Sequence, residues 1–239
     1  MTLPLFLSRA RLRSGHGETL SAIAPILMPD DGNQRAALAH RLVWLLFQDV
    51  PNAKRDFLWR DDGAGKYLIL STRPPADPKD LFELDTKPFA PALQVGDDLR
   101  FVLRANPTVA RKGANDPDAT GIRQRGKRVD VVMDRLAKLP ISGRAQHRDR
   151  VATEAGSAWL TEQGARAGFT PKAVVVGSYR QIDIADRERK RRRERGVVSV
   201  IDLEGVLTVS DPPTFFSKLA TGFGSAKAFG NGLMLLRRV

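Results

Sequence analysis

The last eighteen residues combine glycines with a single lysine in a pattern that suits a phosphate group. Lys227 lies in a loop punctuated by four glycines, Gly222, Gly224, Gly230 and Gly232. Glycine lets a backbone turn tightly and approach a ligand closely, and exposed amides with one cation can bind phosphate. A dinucleotide-binding loop is excluded because an apolar strand follows rather than a helix. A Walker loop is excluded because Ala228 follows Lys227 where that motif has Ser or Thr. The loop therefore indicates a site that recognises a polymer backbone.

His40 has the side chain best suited to move a proton in this chain. Imidazole titrates near neutral pH, as metal-free RNA cleavage requires: the 2′-hydroxyl attacks the adjacent phosphate and the 5′-oxygen leaves. A lone histidine on a helix is more often a surface or hydrogen-bonded residue, so position alone leaves both interpretations open. His16 and His147, in a glycine-rich and a basic segment, carry no specific signal. The paired Asp61 and Asp62 fit a turn better than a metal site.

Two basic segments predict contact with a nucleic acid. Residues 187–195 hold seven cations and two anions and supply +5 of the net charge of +12. They lie between two predicted strands, so they form or extend a hairpin tip that can lie against a nucleic-acid groove; a solvated loop or flexible arm is the alternative. Residues 123–128 are a second cluster, and Arg104 is a third contact or an edge charge. The candidate RNA-binding residues are Arg104, Arg123, Arg125, Lys127, Arg128, Arg187, Arg189, Arg191, Arg193, Gly222, Gly224 and Lys227.

Composition indicates a globular protein with a polyanionic partner. The 239 residues are 42% hydrophobic, with 39 Lys and Arg against 27 Asp and Glu. Nucleic acid is the first candidate partner and an anionic membrane surface the second. No apolar run approaches the ~20 residues of a membrane span, residues 1–8 do not resemble a signal peptide, cysteine is absent, and the histidines lack zinc-ligand spacing. We expect a cytoplasmic protein that uses no metal and no cofactor.

The order of predicted elements is strand, helix, strand, strand, helix, strand in each half of the chain. Alternation indicates strands, and apolar residues at three- and four-residue spacing indicate helices. In the first half the predicted strands are 3–12, 56–59, 67–71 and 84–89, and the helices are 34–47 and 79–82. In the second half the predicted strands are 99–104, 172–184, 197–209 and 233–236, and the helices are 151–166 and 213–219.

This order predicts an α+β protein with two tandem ferredoxin-like (RRM-like, βαββαβ) domains and a C-terminal glycine-rich loop. Pro88, Pro91 and Gly96 mark the boundary, which gives residues 1–92 with His40 and residues 98–239 with the basic hairpin. Residues 107–128 are predicted to form a long loop, and Asp211 is expected to cap the last helix. Aromatic residues are only 7%, which favours recognition of a structured RNA through its backbone over stacking of single-stranded bases.

Four segments, in this order along the chain, resemble one known family. They are residues 38–47, 55–59, 99–107 and 203–211, the last of which leads into the terminal glycine loop. Their combination is similar to the CasE family, the CRISPR repeat-processing endoribonucleases of the type I-E Cascade complex. The resemblance implies two ferredoxin-like domains and metal-independent cleavage of the repeat hairpin in precursor crRNA, with 2′,3′-cyclic phosphate and 5′-hydroxyl ends. It also implies that the protein keeps its product, so its partners are the repeat RNA hairpin and other Cascade subunits.

The family's catalytic histidine on the first helix matches His40, and its groove-binding hairpin matches the basic run at residues 187–195. Familiar members carry a tyrosine one helical turn before the histidine, where this chain has Ala37. Tyr179, Tyr67 or a basic residue is a candidate replacement, or His40 acts with electrostatic help alone. The leading hypothesis is a repeat-processing endoribonuclease. The alternatives are a non-catalytic subunit that binds an RNA hairpin, and a basic structural protein on duplex DNA or ribosomal RNA.

Overall fold

The first half of the chain forms a four-stranded antiparallel sheet covered by one helix. The computed structural model describes residues 4–13, 32–49, 54–111, 127–183 and 197–239. The elements of this half are β1 (Phe6–Leu12), α1 (Gly32–Leu45), β2 (Phe57–Gly63), β3 (Lys66–Ser71) and β4 (Phe82–Pro88). Because β1 pairs with β3 and β4, and β2 pairs with β3, the strand order is β2–β3–β1–β4.

Helix α1 lies on this sheet through residues at helical spacing. Ala39, Leu42 and Val43 are at most 5% exposed and share one hydrophobic cluster with Trp59 and Ile69 of the strands. Burial of such a stripe holds a helix on a sheet more firmly than helix propensity alone. The packing fixes which turn of α1 faces the rest of the molecule, and His40 lies on that turn.

The short helix predicted at residues 79–82 is wrong. These described residues form a turn, in which the Asp80 amide donates to the Asp77 carbonyl oxygen at 3.2 Å and the Phe82 amide donates to Asp77 Oδ2 at 2.6 Å. An aspartate side chain that takes a backbone N–H competes with helix formation, and Phe82 then begins β4. Among its described residues, the first sheet is therefore covered by α1 alone.

The second half contains a second four-stranded antiparallel sheet. Its elements are β5 (Asp98–Ala105), β6 (Thr108–Arg111), β7 (Lys127–Asp130), α2 (Val131–Leu136), α3 (Arg144–Ala167), β8 (Phe169–Asp183), β9 (Val197–Val209), α4 (Pro212–Thr221) and β10 (Met234–Arg238). The strand order is β10–β5–β9–β8, while β6 and β7 form a separate ribbon. Counted along the chain, the first and third strands of each sheet are its central strands, namely β1 and β3 in the first sheet and β5 and β9 in the second. This arrangement confirms the predicted tandem ferredoxin-like fold.

Several predicted boundaries in the second half need correction. Residues 107–128 are not one loop, because both ends belong to the β6–β7 ribbon, with residues 112–126 outside the described ranges. Helix α3 begins at residue 144 rather than 151 because its first two turns are polar and give no apolar signal. Asp211 caps α4 as predicted, since its Oδ1 accepts the Thr214 amide at 3.1 Å.

An apolar cluster joins the two halves. Leu5, Leu58 and Leu70 of the first half are buried together with Leu233 of the second, and Phe216 packs against them. Residues on the face of the first sheet that α1 leaves uncovered thus contact α4 and the entry to β10. This contact brings the glycine-rich segment at residues 222–232 against α1 and β2.

Candidate active site

His40 is held by a backbone carbonyl of the glycine-rich segment. Its Nδ1 lies 2.7 Å from the carbonyl oxygen of Ala228, and the indole Nε1 of Trp59 donates to the same oxygen at 3.1 Å. A carbonyl oxygen only accepts, so Nδ1 carries the proton in this bond. The neutral ring therefore keeps Nε2 as its basic nitrogen. The first half supplies the imidazole and the second half supplies the group that sets its tautomer.

Two aromatic rings restrict the imidazole further. The ring of Phe229 lies 5.6 Å from that of His40, and the ring of Trp44, one helical turn later on α1, lies 6.2 Å away in a T-shaped arrangement. Such ring contacts limit rotation about the side-chain bonds. His40 is thus a half-buried residue in a fixed orientation, unlike a freely rotating surface histidine.

The surroundings of His40 favour its neutral form. Burial lowers the pKa of His40 below its ordinary value of 6.5, the positive charges of Arg55 and Arg41 lower it further, and the bond to Ala228 opposes them. A positive imidazole is disfavoured by desolvation and by nearby cations. His40 is therefore ready to accept a proton at neutral pH.

The glycine-rich segment is built chiefly by contacts to the protein. Amides of Gly222, Phe223, Ser225 and Gly232 donate to backbone carbonyls of Lys218, Gly232, Asn106 and Arg104 respectively. Gly224 has φ +74°, and a Cβ there would lie 2.6 Å from the Asn106 carbonyl oxygen. The segment positions the Ala228 carbonyl for His40. Phosphate binding by Gly222 and Gly224 stays a prediction.

Cations cluster around the glycine-rich segment, namely Lys227, Lys218, Arg55 and Arg128. Lys227 Nζ donates to the Thr221 carbonyl oxygen at 2.6 Å, and Arg128 Nη1 donates to Ser225 Oγ at 2.7 Å. Burial lowers the pKa of Lys227, and the positive charges of Lys218, Arg55 and Arg128 lower it further. Since Arg55 also acts on His40, these side chains share one electrostatic environment. Such a cluster suits a phosphodiester that gains negative charge during cleavage.

The other predicted RNA-binding residues fall into two groups. Arg104 lies on β5 and is paired with Asp202, with Nε 2.7 Å from Oδ1. Lys127 begins strand β7. Outside the described ranges lie Arg123, Arg125, Arg187, Arg189, Arg191 and Arg193. Asp183 pairs with Val197 across β8 and β9, so the basic run connects two paired strands.

Neither tyrosine of the chain is suited to replace the residue that Ala37 lacks. Tyr67 is 4% exposed within the core under α1. Tyr179 donates to Asp130 Oδ1 at 3.1 Å; burial, together with the negative charge of Asp130, raises the pKa of Tyr179 to about 12. A hydroxyl with that pKa is a poor base at neutral pH. The remaining candidates are a basic residue or electrostatic assistance.

Some functional positions carry no signal in the sequence. The Ala228 carbonyl is invisible there because any residue presents a carbonyl. From the sequence, Phe229 is predicted only to lie in a loop and Trp59 only in a strand. Arg55 has no neighbouring motif in the sequence that would mark it as functional. Its place in the segment at residues 55–59 that resembles the CasE family was the one available signal.

The described ranges hold neither a metal cluster nor a membrane-spanning helix. Asp61 and Asp62 lie at the end of β2 rather than in the predicted turn, and Asp61 Oδ1 accepts the Gly63 amide at 2.8 Å where the strand register shifts. Across these ranges, His, Cys, Asp and Glu side chains form no group of three or more that could hold a metal ion. No helix in the part of the chain that the structure describes is long and apolar enough to cross a membrane.

Comparison with known proteins gives consistent matches. A family model described as CRISPR associated protein matches residues 5–238. The CRISPR system Cascade subunit CasE of Escherichia coli is 28% identical over 204 residues, which cover 82% of this chain and 89% of that protein. The CRISPR-associated endoribonuclease Cse3 of Thermus thermophilus is 32% identical over 155 residues, which cover 62% of this chain and 59% of that protein.

Solved structures give the same fold. The structure of CRISPR endoribonuclease Cse3 bound to 19 nt RNA has a TM-score of 0.64 and 23% identity, and the match covers 98% of this chain and 99% of that one. This similarity supports the tandem ferredoxin-like arrangement independently of the strand orders. The matches also confirm the predicted resemblance to CasE proteins.

Proposed function

The chain belongs to the family of CRISPR-associated proteins, and from this premise we propose that it is an endoribonuclease that processes CRISPR repeat RNA. It cleaves the repeat stem-loop of precursor crRNA without a metal ion and stays bound to the mature crRNA as a Cascade subunit. Its similarity to a Cascade subunit CasE and to a CRISPR-associated endoribonuclease supports both parts. We also propose a cytoplasmic location, where its RNA partner is made.

The observation that carries the proposal is the bond between His40 Nδ1 and the Ala228 oxygen. With Nδ1 protonated, Nε2 of neutral His40 takes the proton from the 2′-hydroxyl next to the scissile phosphate. The 2′-oxygen attacks phosphorus, the bond to the 5′-oxygen breaks, and the proton taken up by His40 Nε2 is given to that oxygen. The products are a 2′,3′-cyclic phosphate and a 5′-hydroxyl. Every bond change is accounted for without a cofactor.

Electrostatic stabilisation comes from the cations around His40. As the 2′-oxygen bonds to phosphorus, negative charge increases on the non-bridging oxygens, and fixed positive groups lower the barrier most where water is excluded. Arg55, Lys227 and Arg128 are the described candidates for this role. The basic run at residues 187–195 holds the stem through its phosphates.

The experiment that tests the proposal incubates an end-labelled repeat hairpin with the protein in excess EDTA, beside His40→Ala. We expect one cut at the 3′ base of the stem, a cyclic phosphate end, and loss of cutting in His40→Ala with RNA affinity retained. Cleavage that persists in His40→Ala would exclude His40 as the proton-transfer residue. Cleavage that stops in EDTA would exclude the metal-independent reaction.

A second function is favoured by one specific observation, namely Ala37. The chain lacks the tyrosine one turn before the histidine, and both of its own tyrosines are buried or bonded. On this alternative the protein is a non-catalytic subunit that binds an RNA hairpin within a ribonucleoprotein. Tight binding of the repeat hairpin by the parent protein, without any cut, would select it.

A further inference from the structure

A cavity lies between the two sheets, beside the candidate active site. Its volume is about 570 Å³, and both halves line it. Ala36 and Ala39 of α1 form one wall, Arg60 of β2 a second, and Arg104 and Arg180 of the second sheet a third. Phe229, whose ring packs on His40, closes it on the side of the glycine-rich segment. The cavity and the candidate active site thus share a wall.

Two carboxylates, Asp61 and Asp62, also line the cavity, and a third, Asp202, bonds both arginines of the second sheet. Asp202 accepts from Arg104 Nε at 2.7 Å, from Arg180 Nη1 at 2.8 Å and from Ser178 Oγ at 2.9 Å. Burial would raise the pKa of Asp202, but the bonds from Arg104 and Arg180 lower it to about 2. Asp202 therefore stays ionised and offsets one of the two positive charges of the arginines that it bonds.

Arg60 is a cation of the cavity wall that bonds no anion among the described residues. Its Nε and Nη1 are buried and have no hydrogen-bond partner among the described residues. Burial lowers the pKa of Arg60, repulsion from Arg104 and Arg180 adds to it, and the charges of Asp202 and Asp62 oppose it without bonding Arg60. A partly buried guanidinium without a bonded anion is unfavourable, and uncompensated charges of this kind cluster at binding sites.

We propose that this cavity binds a phosphate group of the RNA, contributed by an unpaired nucleotide next to the scissile bond, with Arg60 as its principal ligand. The inference rests on the proposed function. A guanidinium matches a phosphate through paired N–H donors, and two N–H donors of Arg60 are unpaired in the part of the chain that the structure describes. Binding of the phosphate supplies the negative charge that Arg60 lacks.

The position of the cavity suits an RNA strand that extends from His40. Ala36 and Ala39 lie on the turn of α1 before His40, and Gln181 and Ile182 of β8 line the opposite side. An RNA strand bound at His40 therefore has the cavity one helical turn away along α1, which places a phosphate next to the scissile one within reach of the cavity.

The test compares Arg60→Met with Arg60→Lys and with Arg238→Met. Arg238 is an exposed residue opposite Leu99, at the other end of β5 from Arg104, and its removal changes the net charge equally. Repeat hairpins carry a 2′-deoxy nucleotide at the scissile position, so that binding is measured without cleavage. One hairpin ends at the stem, and two others carry a short unpaired extension on the 5′ or 3′ side.

We expect Arg60→Met to weaken binding of one of the two extended hairpins by about tenfold. The slope of the logarithm of the binding constant against the logarithm of the salt concentration should become shallower by about 0.7, as the loss of one phosphate contact to a single strand predicts. The hairpin without an extension should bind Arg60→Met with the same affinity as it binds the parent protein. Arg60→Lys should retain most of the affinity, and Arg238→Met all of it. Millimolar inorganic phosphate should abolish the preference for the extension only if free phosphate is the true ligand, which would overturn the assignment to RNA.

Thermal unfolding separates a binding role from a structural one. Because Arg60→Met removes a buried charge that lacks a bonded partner, its Tm should equal or exceed that of the parent. A lower Tm, equal losses on all three hairpins, or no loss on any of them would overturn the proposal while the proposed function stands. Failure of the parent protein to bind any repeat hairpin would overturn both.

Discussion

At the scale of single residues, the candidate site depends on how the protein treats one imidazole. His40 is desolvated, placed near Arg55 and Arg41, and bonded through Nδ1 to a carbonyl. The first two effects keep the ring neutral, and the third fixes which nitrogen is basic. This combination is the one expected of a general base, because a base must be unprotonated before it can act.

The pH dependence of cleavage follows from these effects. In the proposed mechanism the active form is neutral His40, so the single-turnover rate should rise with pH through a pKa lowered below 6.5 and then level off. Arg55→Met removes a positive charge that lowers this pKa, so the rising limb should move to higher pH. Arg238→Met, which removes a remote charge, should leave the limb in place.

Single-turnover rates across a pH series check this prediction. An unmoved limb in Arg55→Met would mean that Arg55 does not act on His40 through its charge. A limb that persists in His40→Ala with the same midpoint would assign the titration to another group.

At the scale of elements, the glycine-rich segment and α1 form one unit. The Ala228 oxygen reaches both His40 and Trp59, and the segment is held by its backbone bonds to residues 104 and 106 on and after β5. A rigid loop of this kind positions a proton-transfer group more accurately than a mobile one, and small displacements reduce rates strongly.

Gly224→Ala tests this coupling, with Gly96→Ala as its matched control. Both glycines have positive φ, +74° and +89°, but an added Cβ meets the Asn106 oxygen at 2.6 Å only at Gly224, and nothing within 4 Å at Gly96. Gly96→Ala should lose about 1 kcal/mol of unfolding free energy from backbone strain alone. Gly224→Ala should lose about 1–3 kcal/mol more and cleave about tenfold more slowly.

Urea unfolding and single-turnover cleavage provide the two measurements. Equal stability losses in the two variants would show that the contact at Asn106 relaxes freely. A normal cleavage rate in a destabilised Gly224→Ala would separate the segment from the chemistry.

The elements also show where sequence patterns succeed. Alternating and β-branched residues predicted every strand of the two sheets, and Asp211 predicted the start of α4, because these signals are local. The helix at residues 79–82 failed because Asp77 and the prolines before it favour a turn. The ribbon of β6 and β7 was missed because its four-residue strands are polar and join across a long sequence separation.

The site was predictable only where a side chain carries the chemistry. His40 and Lys227 could be selected by residue type. The position of the Ala228 carbonyl and the unpaired N–H donors of Arg60 are results of tertiary packing. The roles of the predicted residues, and the division at residues 92–98, stay predictions.

At the scale of the whole molecule, the two halves must be held in register for the site to exist. His40 and Trp59 belong to the first half, and Ala228 and Phe229 to the second. The apolar cluster of Leu5, Leu58, Leu70 and Leu233 is a buried contact between them. Stability and activity should therefore be coupled at this interface more tightly than inside either half.

Leu233→Ala, compared with Leu160→Ala, tests this coupling. Leu233 is 2% exposed at the interface, and Leu160 is 0% exposed within the core of the second half. Each truncation should lower the free energy of unfolding by about 2–5 kcal/mol. At a temperature where both variants remain folded, Leu233→Ala should cleave repeat RNA several-fold more slowly than Leu160→Ala, because only the former loosens the placement of Ala228 against His40. Calorimetry and single-turnover cleavage on the same preparations measure the two quantities. Equal cleavage rates at equal destabilisation would mean that the two halves keep their relative position without this cluster.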